Sequence, residues 1–349
     1  MNNIVQRFIK LEHTSSTSQC YREAVITELR KLLPFAASCC TMVDPNTLLS
    51  TGAITEDNVE KIHPLIFKYE FSQNDFNHYD ELVQSQTTVA ILSEATEGQL
   101  ERSHRYRTIL HPAGFRDELR AVLMSEGKCW GYLTLFRGER QPLFTKEDRN
   151  LLSTITPLVG RALRQYRLEL SHKEANHKIQ RNGILILSDD LHPLSCNAVA
   201  EDWLAVLRCL EEIDDKTLPR PIRAICSRAL EEVETATAQV FLSIPGHPYL
   251  LIRASGLHHF DQSKQIAVSF EPASPSDILL FIEEVYHLSQ REKEIIDQVI
   301  RGFSTKEIAA AFHISAYTVQ DHLKSIFAKT GVTSRRELVW KLFSQYVLK

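Results

Sequence analysis

The chain has 349 residues, 43% of them hydrophobic and 24% charged, with a formal net charge of −4. That length is too great for one ordinary core and suits two or three domains of ordinary globular composition. No run approaches the roughly 20 apolar residues needed to span a bilayer, and the polar start Met1-Asn2-Asn3 lacks the basic flank and apolar centre of a secretory signal. A cytoplasmic protein with no membrane partner is therefore expected.

Seven cysteines, an odd number in a large chain, fit reduced thiols packed as small apolar residues. None falls in a Cys-x-x-Cys pair. Cys39 and Cys40 are neighbours in a strand-like run, so they face opposite sides and cannot hold one metal together. Neither a metal nor a cofactor is expected.

Residues 1–170 read as one α+β unit. An amphipathic helix (Tyr21 to Leu33) precedes a strand-like run from Ala37 to Val43, a Pro45-Asn46 turn and a second strand near Leu48 to Thr51. A helical stretch surrounds Val59 to Tyr69, and Thr88 to Leu92 is a short strand. The clearest hairpin follows, Glu118 to Met124 and Cys129 to Phe136 around Glu126-Gly127. Thr145 then opens a long helix whose apolar residues, Leu151, Ile155, Leu158, Ala162 and Tyr166 among them, recur at three and four up to Leu170. Such a stripe suggests packing on the sheet and on a second copy, and Pro157 should kink the helix. The run Cys-Trp-Gly-Tyr-Leu-Thr-Leu-Phe-Arg-Gly (129–138), with Pro142-Leu-Phe-Thr-Lys-Glu-Asp and the long helix, resembles the end of a GAF domain. The resemblance implies an antiparallel sheet with a small-ligand pocket on one side. It names no ligand, and a scaffold used only for dimerisation stands beside a true sensor.

A hydrophilic stretch from Ser171 to Asn182 opens the next unit, residues 171–275. Ile184 to Leu187 is a strand, Ser188-Asp189-Asp190 a turn and Leu194 to Cys196 a second strand, after which Asn197 caps a helix from Ala198 to Leu210. A helical middle (Leu218 to Glu234) and strands at Ala238 to Ile244, Tyr249 to Ala254 and Ile266 to Phe270 complete it. This order resembles a PAS domain, apart from the long helical middle. Ile-Leu-Ile-Leu-Ser-Asp-Asp (184–190) also looks like the start of a phosphoacceptor receiver. The later strands end at Pro245, Ser255 and Glu271 without an acceptor Asp, so a turn between antiparallel strands is the expected structure. Pro272, Pro275 and Ser276 lead into a linker, residues 276–287.

From Leu288 onward ten Lys/Arg stand against six Asp/Glu, and thirty against thirty-eight precede it. A basic module on an acidic body suits a nucleic-acid reader. Ser289, Ser304, Ser315 and Ser334 each stand before an amphipathic run, and Glu292, Glu307 and Glu337 follow three of them at the capping-box spacing. Phe303 with Ile308, and Ile314 with Val319, have the spacing of hydrophobic staples. Four short helices are predicted, the central two separated by His313-Ile314-Ser315, which is a helix-turn-helix at about 304–323. In the helix from Ala316 to Thr330, Val319, Leu323 and Ile326 face the core, and Gln320, Asp321 and Lys324 share the outer surface. Their side chains suit adenine, the cytosine amino group and guanine. Lys306, Thr318, Lys329 and Arg335 lie at helix ends and are candidate phosphate contacts. Leu338, Leu342, Phe343, Tyr346 and Val347 make one stripe of the last helix. Trp340 at its edge suggests a dimer contact or a docking point.

Leu288-Ser-x-Arg-Glu-x-Glu-Ile, Gly302-x-Ser-x-Lys-Glu-Ile-Ala, Ile314-Ser-x-x-Thr-Val, His322, Lys329-x-Gly-Val and Ser334-Arg together resemble the LuxR-type helix-turn-helix family across residues 288–349. The resemblance implies a bacterial transcription regulator that binds operator DNA as a homodimer and works with RNA polymerase. Family members mostly carry Lys at the position of Gln320, so a different base preference is expected. The whole chain then reads as multidomain, with α+β GAF-like and PAS-like sensory domains before an all-α four-helix domain. A signalling enzyme or ligand-binding module in residues 1–270 with an accessory DNA-binding domain is the alternative reading. An enzyme is not expected: there is no P-loop, Gly-x-Ser-x-Gly or His-Glu-x-x-His. A sigma-factor-like reader would need a second aromatic and basic helical domain. An acyl-homoserine-lactone receptor would need clustered tryptophans, whereas only Trp130 and Trp203 precede the module.

Overall fold

In a computed structural model, the structure describes residues 2–72, 75–85, 87–168, 181–231, 238–244, 247, 249–258, 264–274, 277, 286 and 288–343. These form two compact units: two sheets with their helices, and the C-terminal helices. The expected linker lies almost wholly outside the described residues.

The first sheet has the order β2-β1-β5-β4-β3, from β1 (Ala37–Val43), β2 (Ser50–Thr55), β3 (Val89–Ile91), β4 (Phe115–Ser125) and β5 (Lys128–Gly138). The hairpin β4–β5 turns through Glu126 and Gly127, both at positive φ. One face of the sheet carries α7 (Lys146–Leu168) and α2 (Ser18–Leu32), with α1 (Asn2–Thr14) against α7. The other carries α3 (Asp57–Glu60), α4 (His63–Ser72) and α5 (Tyr79–Gln84), while α6 (Leu92–Ala95) follows β3.

Several expectations change here. The sequence pattern predicted no α1, and this helix alters the meaning of the α7 stripe. Leu152, Ile155, Val159, Ala162 and Leu163 are all fully buried by the sheet and by α1, whose Phe8 is 1% exposed. The apolar surface of these five is used within the chain, while Leu151, Leu158 and Tyr166 of the same stripe stay half-buried. The helix also runs through Pro157. The Thr156 hydroxyl donates to the Ser153 carbonyl at 3.4 Å, the acceptor that Pro157 cannot serve. The helix lies very close to the hairpin: a Cβ on Gly160 would stand 2.4 Å from the Met124 carbonyl oxygen.

The second sheet repeats the order of the first: β7-β6-β10-β9-β8, from β6 (Gly183–Ser188), β7 (Pro193–Cys196), β8 (Ala238–Leu242), β9 (Leu250–His258) and β10 (Lys264–Pro272). Strands β6 and β7 pair antiparallel around Asp189-Asp190, so the acids sit in a hairpin turn, as expected. Asn197 caps α8 (Ala198–Glu211), its side chain accepting from the Ala200 amide at 3.0 Å. The helical middle is α9 (Arg220–Glu231), and residues 232–237 lie outside the described part.

These two sheets were expected as separate domains, yet charged contacts tie them together. Arg220 and Arg223 of α9 both bind Glu60, Arg223 at 2.7 Å, and the Phe241 amide donates to Asp44 at 3.1 Å.

Candidate functional site

The C-terminal unit contains α10 (Gln290–Ile300), α11 (Thr305–Ala311), α12 (Ala316–Thr330) and α13 (Arg335–Phe343). Complete capping boxes open two of them. Ser289 and Ser304 each accept the amide of the residue three on, and Glu292 and Glu307 return to the serine amides at 2.6 and 2.7 Å. Ser315 accepts the Thr318 amide at 3.0 Å. At α13 the expected box is shifted: Ser334 takes the Glu337 amide at 3.1 Å, but the Glu337 carboxylate reaches the amide and hydroxyl of Thr333 at 2.7 and 2.8 Å. Between α11 and α12 the chain turns through His313 in a left-handed conformation (φ 53°), and the Ile314 amide returns to the Ala309 carbonyl at 3.0 Å.

Helix α12 divides as its spacing predicts. Val319, Leu323 and Ile326 are buried, and Gln320, Asp321 and Lys324 are exposed. Lys324 lies 3.4 Å from Asp321, a pair exposed enough to add little stability and to be exchanged easily for another partner. Sequence reasoning missed Tyr317, 68% exposed, with the Lys324 ammonium 5.9 Å from its ring centroid. Its position three before Gln320 and seven before Lys324 was the available signal.

The four candidate phosphate contacts separate in the structure. Lys306 is exposed at the start of α11, and Thr318 is half-buried beside Ser315, the two hydroxyls 2.8 Å apart. Arg335 donates to the carbonyls of Val299 and Phe303, closing the end of α10. Lys329 reaches Glu292 at 2.6 Å. Glu292 is 3% exposed and also accepts from the Ser325 hydroxyl at 2.7 Å. Burial alone would raise its pKa, but the bonds from Lys329, Ser289 and Ser325 outweigh burial and hold it down at about 2. The ammonium of Lys329 is thus placed on a buried partner within the bundle, although the residue itself remains exposed. Trp340 is 50% exposed, as expected of an edge residue. The side chains of Leu342 and Phe343, and all of Tyr346 and Val347, lie outside the described residues.

A second site lies on the first sheet. A cavity with about 610 Å³ of empty space, its open mouth included, sits between the sheet and α3 to α5. Alternation along the strands supplies one wall: Cys39 and Thr41 of β1, Glu118 and Arg120 of β4, and Tyr132, Thr134 and Phe136 of β5. Cys40 points to the other side, where burial pushes its thiol up to about 12. The opposite wall is helical, with Val59, His63, Phe67 and Tyr79. Tyr79 stacks on Tyr132 with ring centroids 3.8 Å apart, and the Tyr79 and Thr134 hydroxyls are 2.5 Å apart.

Buried charge runs through this wall as an alternating chain. Arg105 binds Glu118 at 2.8 Å, Glu118 lies 3.1 Å from Arg120, and Arg120 binds Glu70 at 2.7 Å. Burial raises the pKa of Glu70, but Arg120 and Arg105 overcome it and leave that pKa below the usual range. At the other end, Arg220 Nη1 lies 2.6 Å from His63 Nε2 and 3.4 Å from Cys39 Sγ, and Nη2 is 2.5 Å from the Thr55 hydroxyl. Among the described residues no group of three or more His, Cys, Asp or Glu could hold a metal ion, and no helix is long and apolar enough to cross a membrane.

Comparison with known proteins matches both regions. Residues 286–342 match the bacterial regulatory proteins of the LuxR family, and residues 23–163 match the GAF domain. An uncharacterised transcriptional regulatory protein of Bacillus subtilis, YhcZ, is 42% identical over 55 residues, 16% of this chain and 26% of the relative. The monoamine regulon transcriptional regulator of Klebsiella aerogenes is 50% identical over 52 residues, 15% and 23% of the two chains. The chain thus spans only about a quarter of the length of these relatives. Among solved structures, the GAF domain of an Acinetobacter phosphoenolpyruvate-protein phosphotransferase (11% identity, 47% of this chain and 92% of that one, TM-score 0.32) is similar. So is the VqsR LBD domain of Pseudomonas aeruginosa (14% identity, 47% and 94%, TM-score 0.33). The chain therefore carries a GAF domain at residues 23–163 and, after it, a LuxR-family helix-turn-helix domain at residues 286–342.

Proposed function

We propose that this chain is a sequence-specific transcription regulator whose DNA-reading surface is α12 and whose activity is set by a small molecule in the cavity of the GAF domain. The observation that carries this reading is the face of α12, where Tyr317, Gln320, Asp321 and Lys324 are exposed together above a buried apolar stripe. A helix of this kind places donors and acceptors at base edges while its core side keeps the bundle intact. Lys306 and Thr318 flank it as phosphate contacts, and Arg335 has donors left for the same task. On this reading the protein binds an operator as a homodimer, Trp340 lies at the contact, and RNA polymerase is the machinery it acts on. The second sheet, with the strand order of the first and a helix capped by Asn197, is read as a PAS-like sensory domain.

Selection of duplexes from a random pool by the full-length protein tests the reading. Enrichment of one sequence, as an inverted or near-inverted repeat, is the expected outcome. Binding to random and selected DNA with equal affinity would overturn it and would favour an activity residing in residues 1–270.

A further inference from the structure

Three residues that line the GAF-domain cavity carry a buried side-chain atom without a hydrogen bond, and since Arg120 Nε still lies 3.1 Å from Glu118 Oε2, His63 Nδ1 and Glu118 Oε1 are the two left to satisfy. His63 is 7% exposed and Glu118 1%. An unpaired polar atom at such depth is costly, and native interiors leave few of them.

Their chemical character follows from their neighbours. A guanidinium only donates, so the contact from Arg220 Nη1 makes His63 Nε2 an acceptor and puts the ring proton on Nδ1. Burial, then the positive charges of Arg220 and Arg223, hold the His63 pKa well below its ordinary value, which keeps this tautomer uncharged at neutral pH. Nδ1 is therefore a donor. Glu118 has its other oxygen, Oε2, engaged by Arg105 and close to Arg120, so Oε1 is an acceptor.

The charges that line the cavity are already matched. Glu70 and Glu118 face Arg120, with Arg105 behind Glu118, and beyond His63 the pair Arg220 and Arg223 is turned to Glu60 and Glu211. An ionic ligand would bring a charge without a counter-charge into a desolvated site. Apart from the hydroxyls of Thr41, Ser50 and Thr134, the rest of the wall is mostly apolar or aromatic, led by Val59, Phe67, Phe136 and the stacked Tyr79 and Tyr132.

We infer that this cavity takes an uncharged ring compound that bears both a hydrogen-bond acceptor, for His63 Nδ1–H, and a donor, for Glu118 Oε1. This inference rests on the reading of the cavity as a ligand site given above, and it adds the class of ligand.

Four probes of similar size separate the possibilities in calorimetric titrations of the full chain. They are 4-hydroxyacetophenone (uncharged, donor and acceptor), 4-methoxyacetophenone (donor removed), 4-hydroxybenzoate (anion) and tyramine (cation). The first should bind, and each of the others should bind at least about tenfold more weakly. Ile66→Trp, at a half-buried helical position on the cavity wall, should abolish binding while leaving the circular dichroism spectrum unchanged. His63→Phe keeps a ring but removes the donor, and should weaken the first probe about tenfold whether or not Ile66→Trp folds.

Equal binding of the methoxy compound, or tighter binding of either ion, would overturn the class. If that binding is lost in Ile66→Trp, the cavity itself still stands as a ligand site. Failure of all four probes with a folded protein would also overturn the class, leaving solvent to satisfy the two atoms. Binding that survives both variants would place the ligand elsewhere.

Discussion

Arg220 and His63 stand 157 positions apart in sequence, yet the guanidinium of one and the imidazole of the other are 2.6 Å apart in a buried contact. Arg220 begins a helix of the second sheet, and His63 lines the cavity of the first. One side chain therefore ties the wall of a candidate ligand site to the neighbouring sheet.

Removing that side chain should loosen both. Arg220→Ala leaves Glu60, 26% exposed, with only Arg223, and leaves His63 Nε2 buried without a donor. A loss of roughly 2–4 kcal/mol is expected, somewhat below the range for a fully buried broken pair. Urea unfolding of the full chain measures it, and a midpoint equal to that of the parent would show that the contact contributes nothing.

The same contact gives a pH dependence. Because the His63 pKa is depressed in the folded state, the unfolded chain binds more protons as pH falls through the ordinary histidine range. Its contribution to stability is complete above about 6.5 and declines as the solution is made more acidic. Between pH 7 and 5 the unfolding midpoint should fall, and it should fall less steeply for His63→Phe. Identical slopes for the two proteins would rule out His63 as the titrating group.

Lys306 and Lys329 should separate affinity from stability. Lys306→Ala is expected to weaken all DNA about equally and to flatten the dependence of log affinity on log salt by about one. Lys329→Ala strands a buried carboxylate and should cost roughly 1–3 kcal/mol of stability, with an unchanged salt slope. The Glu292 contribution is lost as pH falls from the ordinary carboxylate range towards about 2, so the two proteins should converge there. A slope change for Lys329→Ala would place this residue among the phosphate contacts.

Gln320→Ala and Lys324→Ala should each cost about 1–3 kcal/mol on the selected duplex and relax base choice there, with little effect on random DNA. Tyr317→Ala tests the residue that sequence reasoning passed over. Mobility shifts with single-base variants of the duplex would show which position each side chain reads. Uniform losses on all sequences would move these residues into the phosphate class.

Gly160→Ala should destabilise by about 1–3 kcal/mol despite the better helix propensity of alanine, because its Cβ would meet backbone rather than a movable side chain. Gly256→Ala, in a strand with nothing within 4 Å of the added carbon, is the control and should be neutral or mildly stabilising. Equal midpoints for the two variants would mean that α7 can move off the hairpin without cost.

Local chemistry accounts for what was legible in the chain alone. Serine-to-glutamate spacing sets a helix start through bonds that span only three residues, so the beginnings of α10 and α11 follow from residue order. The amphipathic period divided α12 into Val319, Leu323 and Ile326 on one side and Gln320, Asp321 and Lys324 on the other. Strand alternation likewise separated Cys39 from Cys40. What tertiary structure decided was where long side chains spend their charge. Nothing in the spacing of Lys329 reveals that Glu292, thirty-seven positions earlier, waits for it beneath the surface. Nor does the sequence near Arg220 show that it will fix the tautomer of His63. The apolar stripe of α7 showed that a partner was needed, but only packing revealed that α1 and the sheet together cover its buried residues. Helix starts and faces arise from neighbours in the chain, whereas the cavity, its unpaired donor and acceptor and the pairing of buried charges arise from residues that meet only when the chain has folded.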